Sequence, residues 1–233
     1  MSWEDDFEGD QLDEESYTFE MGDGCPDICG WGNRELQIYR GAPENTNLVD
    51  GSLVITAQQN GNEFNSSRII TQGKREFQYG RIDIRARLPE GQGIWPAVWM
   101  LGANIGTVGW PASGEIDIME MVGHEPNKAH GTAHWGNAGE ASTFRGNSIT
   151  LPEKFSERFH VFTLVWQENS LDWYVDETKF HSLTPNQIAG TWRFNAPFFF
   201  IFNIAVGGLW PGNPDSTTQF PQTMEIDYIR VFQ

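Results

Sequence analysis

Three observations along this 233-residue chain predict an all-β fold of two packed sheets. Alternating or continuously apolar segments, rich in β-branched and aromatic residues, recur along its whole length. Clusters of Gly, Pro, Asn, Asp and Ser separate them at short intervals. No long segment carries a clean 3.6-residue apolar period. Sheets built from many short strands must bury one face against another sheet, so the expected architecture is a sandwich or jelly roll in one domain, residues 1–233.

The strand segments follow in chain order: LVITAQQ (53–59), YGRIDIRARL (79–88), HVFTLVWQ (160–167), SLDWYVDE (170–177) and MEIDYIRVF (224–232). Between them lie the turn signals DGS (50–52), PEGQG (89–93), ENS (168–170) and PGNPD (211–215). WQENSLDWYVD reads as a hairpin across Glu168–Ser170. The run FFFIF (198–202) reads as core filling. No internal repeat and no low-complexity linker interrupts the chain.

Composition narrows the partners. Hydrophobic residues are 39% of the chain, and no apolar run approaches the roughly 18 residues of a membrane span. The opening MSWEDDFEGD is acidic and polar, unlike a secretory leader, which is basic and then apolar. With 32 acids against 15 bases, the net charge of −17 repels nucleic acid and anionic membranes. An uncharged glycan is a better match. The two cysteines, Cys25 and Cys29, sit in the loop GCPDICGWG. That spacing is compatible with a small disulfide or with two reduced thiols, and it is too sparse for a zinc site.

The densest signal is GEIDIMEMVG (114–123), with Glu115, Asp117 and Glu120 separated only by apolar residues. In a regular strand Glu115 and Asp117 share a face, and Glu120 points to the other. One extra residue near Ile118–Met119, a β-bulge, returns Glu120 to the first face. Facing carboxylates raise one another's pKa, which is costly unless the arrangement is used. Two such carboxylates are the equipment of a retaining glycosidase. Upstream, Trp95, Trp99 and Trp110 lie beside Gly and Pro in GQGIWPAVWMLG and VGWPASGE, where flat indole faces suit the CH face of a sugar ring.

At these residues the chain resembles glycoside hydrolase family 16, in particular its laminarinase (endo-β-1,3-glucanase) branch. WPASGEIDIMEMVG resembles the active-site strand in the bulged form of that branch, as distinct from the regular spacing of mixed-linkage lichenases. The resemblance continues through GWGNRELQIYR, RIIT (68–71), YGRIDIRARLPEGQGIWPAVWMLG, HGTAHW, FHVFTLVWQENSLDWYVD, FFFIFNIAVGGLWPG and MEIDYIRVF. It implies a β-jelly roll of two antiparallel sheets with an open concave cleft, acting as a monomer on a β-glucan polysaccharide or oligosaccharide, secreted or at the cell surface.

By position, the resemblance makes Glu115 the nucleophile and Glu120 the general acid/base. Asp117 hydrogen-bonds the nucleophile, and His134 of HGTAHW lies near the reacting sugar. Asn33, Arg68, Trp95, Trp99 and Trp110 belong to the glycone side and Trp210 to the leaving-group side. Catalysis needs no cofactor, and a structural calcium maps onto Glu8, the Gly51 carbonyl and Asp227, whose hard oxygens suit that ion. Two alternatives stand beside this reading: a glucan-binding module without turnover, and a family member acting on a marine galactan.

Overall fold

The computed structural model describes residues 1–233 as two sheets face to face, with helix confined to single turns such as Ile105–Val108. The acid-bearing sheet runs, edge to edge, through Thr143–Thr150, Lys128–Trp135, Glu115–Glu120, Ile94–Gly102, Phe198–Val206, Arg68–Ile70 and Thr18–Glu20, with Glu76–Phe77 added on Phe198–Val206. The opposite sheet runs through Thr178–Leu183, Ser170–Val175, His160–Gln167, Gly80–Arg87, Gln222–Phe232, Ser52–Asn60, Glu63–Ser66 and Gln37–Tyr39. Trp3–Asp5 pairs with Gln222–Phe232, and Thr46–Val49 with Ser52–Asn60.

The expected hairpin is present, with Gln167 opposite Ser170. Pairing is antiparallel throughout, except that Gln37–Tyr39 runs parallel to Glu63–Ser66. The exception is a three-residue pair at one edge, and the expected sandwich of two antiparallel sheets is otherwise present. The segment between these two strands is a long crossover, the kind of connection a parallel pair requires.

Phe198–Val206 is buried at all nine positions. A strand buried on both faces loses polar alternation and reads as one continuous apolar run, which explains FFFIF. Phe198, Phe200, Phe202, Ile204 and Val206 join the main core between the sheets. Phe199 and Ile201, on the other face, form a second small cluster with Ile70 and Leu101, against which Trp99 and Ile105 pack. This cluster makes a firm apolar floor under the outer face of the acid-bearing sheet.

The opposite sheet spends its outward side chains on cross-strand ion pairs, including Arg87 with Glu225 at 2.6 Å and Arg85 with Asp227 at 2.6 Å. Two glycines hold the loops that border the floor. Gly114 (φ +79°) turns the chain into the acid strand. At Gly93 a Cβ would meet the Pro214 nitrogen at 2.3 Å, so only glycine lets the 211–215 turn approach.

Candidate active site

The acid strand carries the extra residue its sequence requires. On one side Val98 faces Met119 and Trp99 faces Asp117, which skips Ile118. On the other, Asp117 faces Thr132 and Glu120 faces His130. Ile116, Ile118 and Met119 go into the core. The bulge therefore seats three apolar side chains behind the sheet while Glu115, Asp117 and Glu120 share the outer face.

Each glutamate is held by an indole. Trp110 Nε1 donates to Glu115 Oε2 at 2.9 Å, and Trp95 Nε1 donates to Glu120 Oε1 at 3.0 Å. His134 stands opposite Glu115 on the next strand. Its Nε2 is 3.2 Å from Asp117 Oδ2 and 3.6 Å from Glu115 Oε1. The imidazole thus stands between the two carboxyls. Trp173 Nε1 donates to the Asp117 carbonyl at 2.9 Å and anchors the strand from the core side.

The electrostatics follow from burial and crowding. Burial, then the Asp117 charge, pushes Glu115 up to about 7, against the opposing pull of His134, Trp110 and Arg68. Burial, then Asp117, also raises Glu120 well above the ordinary carboxyl value. Burial works against a charged His134, but the Asp117 hydrogen bond and the charges of Asp117, Glu115 and Glu120 outweigh it and lift the ring to about 9. Glu115, Asp117 and His134 also offer ligand atoms within 4.8 Å of one another, enough to hold a metal ion. In this setting their proximity is accounted for by the cationic ring between two acids.

A second polar cluster borders the same face, with Trp99, Asn203 and Arg68 on the strands one, two and three places from the acid strand. The Arg68 guanidinium is 4.4 Å from the Trp31 ring and 4.9 Å from the Trp99 ring, and it pairs with Glu20. Trp99 Nε1 donates to Asn203 Oδ1 at 2.8 Å, Asn203 Nδ2 to Tyr39 Oη at 3.0 Å, and Tyr39 Oη to Glu35 Oε2 at 3.4 Å. Glu35 also accepts from Asn33 Nδ2 at 3.0 Å and from Gln37 Nε2 at 2.7 Å. Burial raises its pKa, while Asn33, Gln37, Arg68 and Tyr39 all pull it back. Glu35, Tyr39 and Asn203 are absent from the sequence reading. The motif NRELQIY contains two of them, but nothing local marks either as part of a network.

The tryptophans fall into three places along this face. Trp99 belongs with Arg68 and Asn203. Trp110, 46% exposed, stands by Glu115, its ring 6.5 Å from that of His134. Trp95 and Trp210, placed on opposite sides by the resemblance, form one edge-on pair 5.4 Å apart, with His130 5.0 Å from Trp210. They wall the Glu120 end together.

Away from this face, a Cβ on Gly51 would lie 3.0 Å from Glu8 Oε1 and 4.0 Å from the Asp6 carbonyl. Asp227 sits at a register shift between Ile226 and Tyr228, flanked by the pairs Ile226–Leu53 and Ile229–Asp5. The shift takes the Asp227 carbonyl out of the regular ladder. Its Oδ2 is engaged by Arg85. Glu8 and Gly51 thus lie together, and Asp227 lies on a strand paired with Trp3–Asp5, just before Glu8, and with Ser52–Asn60, just after Gly51; hard oxygens of this kind suit calcium. Cys25 and Cys29 are joined in a disulfide, the option the sequence left open. The loop they close leads into Trp31 and Asn33.

Known proteins agree with this geometry. The family model for glycosyl hydrolases family 16 matches residues 34–230. A glucan endo-1,3-beta-glucosidase A1 of Niallia circulans is 37% identical over 100% of this chain, which spans 38% of that relative's length. A beta-glucanase of Rhodothermus marinus is 39% identical over 100% of the chain and 85% of the relative. The laminarinase catalytic domain of Thermotoga maritima superposes with a TM-score of 0.91 at 48% identity, covering 99% of this chain and 96% of that one. A match over most of its length, joined to a bulged acid strand on the outer face of a two-sheet sandwich, establishes that the chain belongs to glycosyl hydrolase family 16.

Proposed function

We propose that the chain is an endo-acting retaining glycoside hydrolase that cleaves β-1,3-glucosidic bonds in laminarin-type glucans, and mixed-linkage β-1,3-1,4-glucan where a β-1,3-linked unit fills the glycone side. The observation that carries this reading is the bulge, which puts Glu115 and Glu120 on one face with Asp117 between them. Glu115 attacks the anomeric carbon. Glu120 gives its proton to the departing oxygen and then takes one from the incoming water. The raised pKa of Glu120 suits a proton donor near neutral pH. The His134 cation, held against Asp117 and Glu115, offsets the crowding of the acids. Asn33, Arg68, Trp95, Trp99 and Trp110 serve the glycone side and Trp210 the leaving-group side.

A panel of laminarin, curdlan, lichenan, agar and carrageenan tests the substrate, and NMR of the first product tests retention. Faster cutting of agar or carrageenan than of laminarin overturns the glucan assignment, and an inverted anomer overturns the double displacement. Binding without turnover returns the chain to the glucan-binding alternative.

Three further proposals complete the reading. A structural calcium held by Glu8, Gly51 and Asp227 ties the N-terminal segment to the last long strand. Excess EGTA then lowers the melting temperature by mass action, with little change in low-temperature activity. An unchanged melting curve removes the ion. The Cys25–Cys29 disulfide supports a secreted or cell-surface location. The net charge of −17 supports a soluble monomer.

A further inference from the structure

The outer face of the acid-bearing sheet can be followed strand by strand from the register. Arg68 faces Asn203, Asn203 faces Ala97, and Trp99 faces Asp117. Glu115 faces His134, and His134 faces Phe144 on the edge strand Thr143–Thr150. Side chains two apart on a strand share a face, so Phe144, Gly146 and Ser148 line the far end of the row that begins at Arg68. That end lies two strands, about 10 Å, from the acids. A disaccharide spans such a distance.

Phe144 is 66% exposed, and none of the buried core includes it. Its ring centre lies 5.4 Å from that of His134, with the planes 32° apart. A large aromatic left this open on an edge strand has no packing reason to be there. Its neighbours keep the lane beside it low. Gly146 carries no side chain, and a Cβ there would meet Thr132 Oγ1 at 2.6 Å. The residues of the other face tie the strand down: Arg145 Nη1 donates to the Gln187 carbonyl at 2.7 Å, and Asn147 Nδ2 to the Phe180 carbonyl at 2.7 Å. The ring is therefore presented from a fixed backbone.

We propose that Phe144 is a stacking platform for the glucan on the leaving-group side, and so a specificity-determining residue for the length of chain beyond the scissile bond. The proposal rests on the endo-β-1,3-glucanase reading, in which Arg68 and Asn33 hold the glycone. The sugar chain leaves the acids over His134 and lays the CH face of its second leaving-group unit on the Phe144 ring. Aromatic contacts of this kind contribute on the order of 1 kcal/mol, which is roughly fivefold in a rate or binding constant.

The test compares laminari-oligosaccharides with an aryl β-laminaribioside, whose leaving group carries no sugar, using wild type, Phe144→Ala and Phe144→Trp. The expected result is a loss of kcat/KM on the oligosaccharides, borne by KM, that is roughly fivefold larger for Phe144→Ala than its loss on the aryl glycoside. Phe144→Trp restores the oligosaccharide rate. Melting curves for all three proteins confirm that the folded state is intact. Equal losses on the two substrates, or no loss on the oligosaccharides, overturn the platform. A wild-type protein that cuts neither overturns the underlying activity instead, so the two failures read out separately.

Discussion

Two carboxyls at opposite ends of the candidate cleft, Glu35 in the loop before Gln37–Tyr39 and Glu115 on the acid strand, are treated in opposite ways. Glu35 accepts hydrogen bonds from Asn33, Gln37 and Tyr39, and every neighbour with a resolved influence favours its ionised form. Glu115 has one indole donor, and its strongest neighbour, Asp117, is a like charge that adds to the burial penalty. Around it the polar groups stay incompletely matched: His134 Nδ1 and His130 Nε2 are buried without hydrogen-bond partners. The first region is a satisfied network that fixes shape. The second stores electrostatic cost where a reaction can release it. A scaffold needs the first to hold the second at a constant geometry.

The comparison breaks most sharply at Glu115. Replacing it with Ser removes the nucleophile while leaving Trp99, Arg68 and Asn33 in place. Turnover of laminarin falls on the order of a thousandfold or more. Calorimetric affinity for a laminari-oligosaccharide stays within a few-fold of wild type, because the satisfied region supplies the binding. Near-normal turnover returns Glu115 to a supporting role, and lost binding means that the acid strand itself holds the sugar.

Glu35→Ala probes the other region. It leaves the Asn33 and Gln37 amides and the Tyr39 hydroxyl without their acceptor. A buried donor left unmatched costs about 1–3 kcal/mol, which lowers the melting temperature of a chain this size by roughly 5 °C. Because Asn33 and, through Tyr39 and Asn203, Trp99 lose their positioning, KM rises roughly tenfold while kcat changes less. Glu35→Gln keeps one acceptor oxygen and falls between. A kcat loss with constant KM places Glu35 nearer the chemistry than its contacts indicate.

The two regions also differ in how far the sequence reveals them. The acid strand is written within ten residues: the two-then-three spacing of Glu115, Asp117 and Glu120 implies the bulge, and the apolar residues between them imply the core behind. Strands, turns, the hairpin and FFFIF follow equally from local pattern. The Glu35 network is assembled across the chain, since Asn203 meets Tyr39 over 164 residues, and no local period encodes that meeting. The Trp95–Trp210 pair has the same origin. The Gln37–Tyr39 strand is three residues long, too short to show a period or a direction.

The smallest expected effect concerns the stored cost itself. In the fold the Glu115 carboxyl titrates at about 7, above its ordinary 4.5. A raised acid binds its proton more tightly when folded, so the stability it contributes is complete below 4.5 and lost as the pH climbs through 7. Above that, the folded protein carries a buried charge set against Asp117 and only partly relieved by His134, Trp110 and Arg68. Glu115→Gln keeps the shape and the Trp110 acceptor and removes the charge. At pH 4 the variant and wild type melt together. Between pH 4.5 and 7 their curves part, and at pH 8 the variant melts higher than the wild type. His134, raised to about 9, is cationic across this window in the wild type. If its attraction to Glu115 outweighed the Asp117 repulsion and burial together, the order at pH 8 would reverse. A higher-melting, inactive Gln variant identifies Glu115 as a position where stability is given up for chemistry, and a lower-melting one places it with Glu35 among the groups that hold the fold.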